Sequence, residues 1–137
     1  MKLLMFHVHE FWYRSHTRNL TTEEERQVEG GMPEGGLLAW VQVEPRDLED
    51  PLAVARKAAK NLKWLARKVA VKCITLHSFA HLCEERAEPE QAAPILHDVA
   101  GRLRDVGYEV SHTPWGYFNE FRMHVEGPSL AKVFKDL

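Results

Sequence analysis

Two stretches of this chain repeat apolar residues at helical spacing, and each is followed by an apolar run too short to be a helix. In residues 51–69, Ala55, Ala58, Leu62, Leu65 and Val69 recur at intervals of 3, 4, 3 and 4, which makes one stripe on a helix. Asp50 is the expected N-cap, with Pro51 at the first helical position. In residues 91–106, Ala92, Leu96, Val99, Leu103 and Val106 share a face, and Gly107 supplies the stop. Pro94 is expected in the first turn, where a missing N–H costs little. Residues 70–77 and 108–112, which follow the two helices, read as strands. Strand, helix, strand, helix, strand is an α/β pattern.

The flanks extend this pattern. Residues 2–9 read as a first strand and 36–44 as a second, stopped by Pro45, and a hairpin would set the two side by side. The polar stretch 15–35, with Gly30-Gly31 and Gly35-Gly36, reads as a long surface excursion with one helical turn. Residues 113–116 read as a turn, 118–125 as a last strand and 128–135 as a short terminal helix.

At 137 residues the chain suits one domain with its own core, and residues 1–137 are read as a single unit. Eighteen basic and twenty acidic side chains give a net charge of −2, which excludes a uniformly basic nucleic-acid coat but not a local basic face. Two cysteines, Cys73 and Cys83, cannot build a disulfide scaffold. Met1–Phe6 is too short for a signal peptide, and no apolar run reaches membrane-spanning length, so a cytoplasmic setting with no membrane partner is expected.

Three features bear on chemistry. The first is basic. No acidic residue lies between Asp50 and Glu84, whereas seven basic ones do. Of these, Arg56, Lys60, Lys63 and Arg67 fall within about 60° of one another on a helix. Like charges at such spacing repel, and a polyanion would offset the repulsion and release its counterions. A merely solvated helix face explains the same pattern. The second feature is histidine. His7 and His9 are spaced to share a strand face, and His77 and His81 flank a strand end, yet nothing completes a ligand set, so packed or hydrogen-bonded histidines are expected and no metal or other cofactor. The third is a pair of segments, Ser78-Phe79-Ala80-His81-Leu82 and Thr113-Pro114-Trp115-Gly116-Tyr117-Phe118-Asn119. Each follows a strand, where loops converge on a crevice at a sheet's carboxyl ends.

Taken in order, Phe79-Ala80-His81-Leu82, Ala92-x-x-Ile95-Leu96, Leu103-x-x-x-Gly107-Tyr108, Pro114-x-Gly116-Tyr117-x-x-x-Phe121 and Gly127-x-x-Leu130-Ala131 resemble the editing domain of archaeal threonyl-tRNA synthetases. The strand leading to His7 and the strand ending Val43-Glu44 fit as well. The resemblance covers most of the chain apart from about residues 15–35. It implies a layered α/β/β fold like that of D-aminoacyl-tRNA deacylases, usually dimeric. It also implies hydrolysis of seryl-tRNA(Thr), or a related mischarged aminoacyl-tRNA in trans. The pocket would be small and lined by main chain, with the 2′-hydroxyl of the terminal adenosine helping to activate water.

The resemblance places His81 and Asn119 at catalytic positions, and His7, Val43, Phe79, Ala80, Trp115, Gly116, Tyr117, Phe118 and Lys132 at substrate-binding ones. Arg56, Lys60, Lys63 and Arg67 would face RNA. The implied partners are the tRNA acceptor end, a threonyl-tRNA synthetase catalytic chain and a second copy of this chain. The sequence departs from the family at three of these positions: Phe118 and Asn119 replace a Tyr-Lys pair, and Lys132 replaces a glutamate. A non-catalytic aminoacyl-tRNA- or RNA-binding module on the same fold is the alternative. The chain ends about where such a module ends, as either an excised domain or a free-standing protein, and it shows no ATP-binding or anticodon-binding segment.

Overall fold

A computed structural model describes residues 1–20 and 27–137. Its backbone is organised by one strand, β1 (Lys2–Arg18), which is bonded along both edges. On one edge it pairs antiparallel with β3 (Gly36–Gln42) and then β2 (Glu29–Met32). On the other it pairs antiparallel with β7 (Lys132–Asp136) and then β6 (Tyr117–Val125). Beyond β3 the sheet continues in parallel through β4 (Cys73–Ser78) to β5 (Glu109–His112). Parallel neighbours need crossovers, and α1 (Pro51–Lys68) and α2 (Pro89–Asp105) supply them.

The two helices cover one face. Ala55, Ala58, Leu62 and Leu65 are at most 1 % exposed, as their spacing requires. They meet Leu3, Met5, Leu37, Ala39, Ile74 and Leu76 from the sheet and Leu96, Val99 and Leu103 from α2. Asp50 caps α1 by accepting from the Ala53 N–H at 3.1 Å. The opposite face, with Leu38 and Trp40, is covered by the far half of β1 together with β6, through Phe11, Tyr13, Phe121 and Met123. The result is the layered α/β/β arrangement, in which the second β layer is the same sheet curled over.

A bulge makes the curl. Val8 pairs with Val125, but the next partner of His124 is Glu10, so His9 is the extra residue. Leu3 and Met5 therefore point to the helices, whereas Phe11 and Tyr13, also odd-numbered, point into the second layer.

Four expectations change. Part of the 15–35 excursion is sheet, because β1 runs to Arg18 and β2 pairs with Phe11–Arg14; the helical turn expected in this stretch is not found in its described part, and residues 21–26 lie outside the described residues. Residues 128–135 do not form a helix. A single 3-10 turn at Ser129–Ala131 gives way to β7, because pairing with the free edge of β1 at Lys2–Phe6 satisfies backbone groups that an isolated short helix would leave open. Helix α2 starts at Pro89, so Pro94 lies past its first turn, where its missing N–H leaves the Glu90 carbonyl without its helical donor. Val106 is 50 % exposed at the end of α2 and does not join the buried stripe.

Candidate functional site

The carboxyl ends of β4 and β5 and the first residues of β6 enclose a cavity of about 270 Å³. One wall is Ser78, Phe79, Ala80 and His81, and the facing wall is Thr113 to Asn119. His77 and Phe121 form the floor, with ring centroids 4.8 Å apart, edge to face. The sheet brings the walls together because β4 and β5 are parallel neighbours, so the loops that follow them leave from the same end.

The floor histidine is fixed. His77 is 7 % exposed, and its Nδ1 is hydrogen-bonded to Thr113 Oγ1 at 2.7 Å. Burial lowers its pKa from 6.5 to about 4, so its ring is neutral at neutral pH. His81 differs. It is exposed at the cavity, its ring meets Phe79 edge-on at 5.3 Å, and it has no hydrogen-bond partner among the described residues. Phe79 in turn packs on Trp40 at 4.7 Å.

The facing wall is shaped by backbone. Gly116 has φ +80, a left-handed conformation that favours glycine. Its carbonyl accepts from the N–H groups of Asn19, at 2.8 Å, and Leu20, which closes the end of β1 over the cavity. Asn119 donates through Nδ2 to the Tyr117 carbonyl at 3.2 Å, while its Oδ1 is buried with no hydrogen-bond partner. Phe118 is 58 % exposed at the rim.

Of the expected site residues, His81, Asn119, Phe79, Ala80, Trp115, Gly116, Tyr117 and Phe118 line this cavity. His7, Val43 and Lys132 do not. His7 lies mid-strand opposite Leu37, and Val43 is buried in the helix-side core. The Lys132 ammonium donates to the carbonyls of Glu126, at 2.7 Å, and Gly127, at 3.2 Å. As a result no lysine, arginine, aspartate or glutamate lines the cavity among the described residues. The lining residues missed in the sequence are Asn19, Leu20 and Pro89, together with His77 and Phe121 in their role as floor. Asn19 and Leu20 carried no local signal, since only pairing with β6 brings the end of β1 there.

The basic residues of α1 stand elsewhere. Arg56, Lys60 and Arg67 are exposed and Lys63 is half-buried, and none makes an ion pair with a described residue. Near Lys57 and Lys60, Lys135 of β7 places its ammonium 5.5 Å from the Trp64 ring centre. The histidines do not converge on a metal. His9, at the bulge, stacks on His124 with centroids 4.4 Å apart and meets Glu126 at 3.0 Å, and no cluster of three or more metal-binding side chains occurs among the described residues. No helix among them is long and apolar enough to cross a membrane.

The curled sheet with two helices on one face, and a crevice at its carboxyl ends, defines a D-aminoacyl-tRNA deacylase-like fold. A solved structure of the c-Myc DNA unwinding element binding protein has this fold, with a TM-score of 0.64 over 100 % of this chain and 99 % of that one at 12 % identity. All of residues 1–137 match the archaea-specific editing domain of threonyl-tRNA synthetase, and the chain belongs to that family. Relatives include the threonine–tRNA ligases of Hyperthermus butylicus, 32 % identical over 99 % of this chain, and of Methanopyrus kandleri, 29 % identical over 97 %. The chain spans only 23 % and 21 % of the length of these two relatives.

Proposed function

We propose that this chain hydrolyses mischarged aminoacyl-tRNA, with seryl-tRNA(Thr) as substrate and the tRNA acceptor end in the cavity. The observation that carries the reading is the meeting of segments 79–81 and 113–119 around one small crevice. The task suits the size of the site. A synthetic site built for threonine cannot strongly reject serine, because one methyl group is worth only about 1–3 kcal/mol. A second, tighter cavity excludes the methyl group sterically and cleaves what enters.

The absence of charged lining residues among those described shapes the mechanism. Neutral donors, main chain and the substrate's own 2′-hydroxyl have to position and activate water. His81 is the free imidazole at the cavity, and His77, held neutral, supports the wall it faces. In this reading the exposed cations of α1 receive RNA phosphates outside the cavity. The domain acts beside a threonyl-tRNA synthetase catalytic chain and as a homodimer, which light scattering would show as a mass of twice 15.8 kDa.

Incubating the chain with seryl-tRNA(Thr) and a panel of correctly charged tRNAs tests the activity. Selective loss of the seryl ester supports it, and intact esters throughout overturn it. One observation favours a second reading, a binding module without turnover: the Lys132 ammonium is engaged by carbonyls and Asn119 Nδ2 by Tyr117, so among the described residues no lysine or arginine lines the cavity to face developing negative charge. Protection of the ester by bound protein would be its signature.

A further inference from the structure

We propose that Gln42 is the positioning residue that holds His81 at the cavity, an inference that rests on reading that cavity as a deacylation site. Gln42 is the last residue of β3 and is 2 % exposed. Its Oε1 accepts from the N–H groups of Leu82 and of Cys83, the latter at 2.9 Å. Its Nε2 donates to the carbonyls of Cys83 at 3.1 Å and Glu85 at 2.9 Å. These partners fix the direction of the amide, since reversing it would set its oxygen against two carbonyls and its NH₂ against two N–H groups. A glutamine has two donor hydrogens and two acceptor sites, and here all four are spent on one loop.

That loop has little else to hold it. Between β4 and α2, residues 79–88 form no helix or strand and include no fully buried side chain. Backbone bonds tie only its shoulders, from Phe79 N to the Val41 carbonyl at 3.0 Å and from Ala87 N to the Val43 carbonyl at 2.9 Å. His81 sits between the Phe79 tie and the two N–H groups that Gln42 accepts. Its ring meets one aromatic ring among the described residues, the edge of Phe79, and makes no hydrogen bond with them. The location of the imidazole therefore follows from its backbone, and its backbone follows from Gln42. The same anchor explains why a polar side chain is buried at the end of the apolar run Leu37–Val41. A buried amide of this kind is tolerated only when its bonds are made.

The test compares Gln42→Leu with Gln42→Glu in the chain. The leucine keeps similar volume and removes every bond of the amide to the loop, including the weaker one from Nε2 to Cys83 Sγ at 3.3 Å. The glutamate keeps the two bonds to N–H groups and loses the two to carbonyls. Three readouts are taken: amide exchange at Leu82 and Cys83, the NMR shifts of the His81 ring, and kcat and KM for seryl-tRNA(Thr). In Gln42→Leu, exchange at Leu82 and Cys83 rises about tenfold or more while Leu38 and Ile74 keep their protection. The His81 ring shifts move toward those of a free imidazole as the Phe79 contact loosens. The value of kcat falls by up to about 100-fold with KM nearly constant, and Gln42→Glu recovers part of the loss. Unchanged exchange at Leu82 and Cys83, or an equal rise at Leu38 and Ile74, overturns the proposal. If Gln42→Leu does not fold, Gln42→Glu decides alone: faster exchange confined to the loop supports the assignment, and no change overturns it. If the unsubstituted chain deacylates nothing, the enzymatic reading fails, and exchange with the His81 shifts still decides whether Gln42 sets the loop.

Discussion

The hydrogen bond between His77 and Thr113 joins the ends of two parallel strands by their side chains, at 2.7 Å, beneath the cavity. It keeps a neutral imidazole in a place where a charged one would be poorly solvated. In the native chain that ring protonates only near pH 4, whereas in the unfolded chain it protonates near 6.5. Between those values the unfolded state binds a proton that the native state does not, so stability drops as pH falls. The drop attributable to His77 reaches about 3 kcal/mol below pH 4. Urea unfolding across pH 4–7 checks it, and His77→Gln removes that part of the slope.

Replacing the partner tests the same bond from the other side. Thr113→Val leaves the buried Nδ1 of His77 unsatisfied and costs about 1–3 kcal/mol of stability. Thr113→Ser keeps the hydroxyl and costs less. Thermal unfolding of the two variants separates the hydroxyl from the methyl group.

His81→Ala is expected to leave stability within about 0.5 kcal/mol, because the side chain is exposed and makes no hydrogen bond. Deacylation of seryl-tRNA(Thr) is expected to fall. A loss of melting temperature with unchanged turnover would assign His81 to structure.

Much of this was readable beforehand where the controlling forces are local. The stripe from Ala55 to Leu65, its Asp50 cap, and the antiparallel neighbours 2–9 and 36–44 follow from spacing and end chemistry. Strand β7 was not readable. Its sequence, Lys132-Val-Phe-Lys-Asp136, is short and mixed, and only the unpaired edge of β1 decides its conformation. The second half of β1 was hidden for another reason. Val8, Phe11 and Tyr13 face one layer across a bulge, so their spacing is not the even alternation that marks a strand. In the cavity, the two lining segments were readable as motifs, but Asn19, Leu20 and the engagement of Lys132 by carbonyls depend on the folded backbone.

Asn119→Lys is expected to raise seryl-tRNA(Thr) deacylation by about tenfold or more, since a cation facing developing negative charge acts mainly on the transition state. Lys132 does not oppose it, because its ammonium is held at the Glu126–Gly127 turn. Phe118→Tyr is coupled to this change and is best measured with it as a double-mutant cycle. A lower rate in an active enzyme would indicate a site tuned to another aminoacyl group.

Lys60→Glu with Lys63→Glu is expected to weaken tRNA binding and flatten its dependence on salt. Filter binding at several salt concentrations measures both. Equal affinity at low salt would leave the α1 cations as a solvated surface.

The bulge at His9 has a consequence for the cavity it does not line. Removing His9 would leave Phe6, Val8, Phe11 and Tyr13 on their present side, because dropping one residue turns their spacing into plain alternation. What would vanish is the bend. The near half of β1 belongs to the layer that carries β4 and β5, and the far half carries β6 with Phe118, Asn119 and Phe121. Straightening the strand would swing these two sets of residues apart like the jaws of a clamp. The gape of the crevice therefore depends on a supernumerary residue at His9, and a second irregularity in the same strand, between Ser15 and Thr17, lies where β1 pairs with Asn119 and Phe118 at the crevice itself.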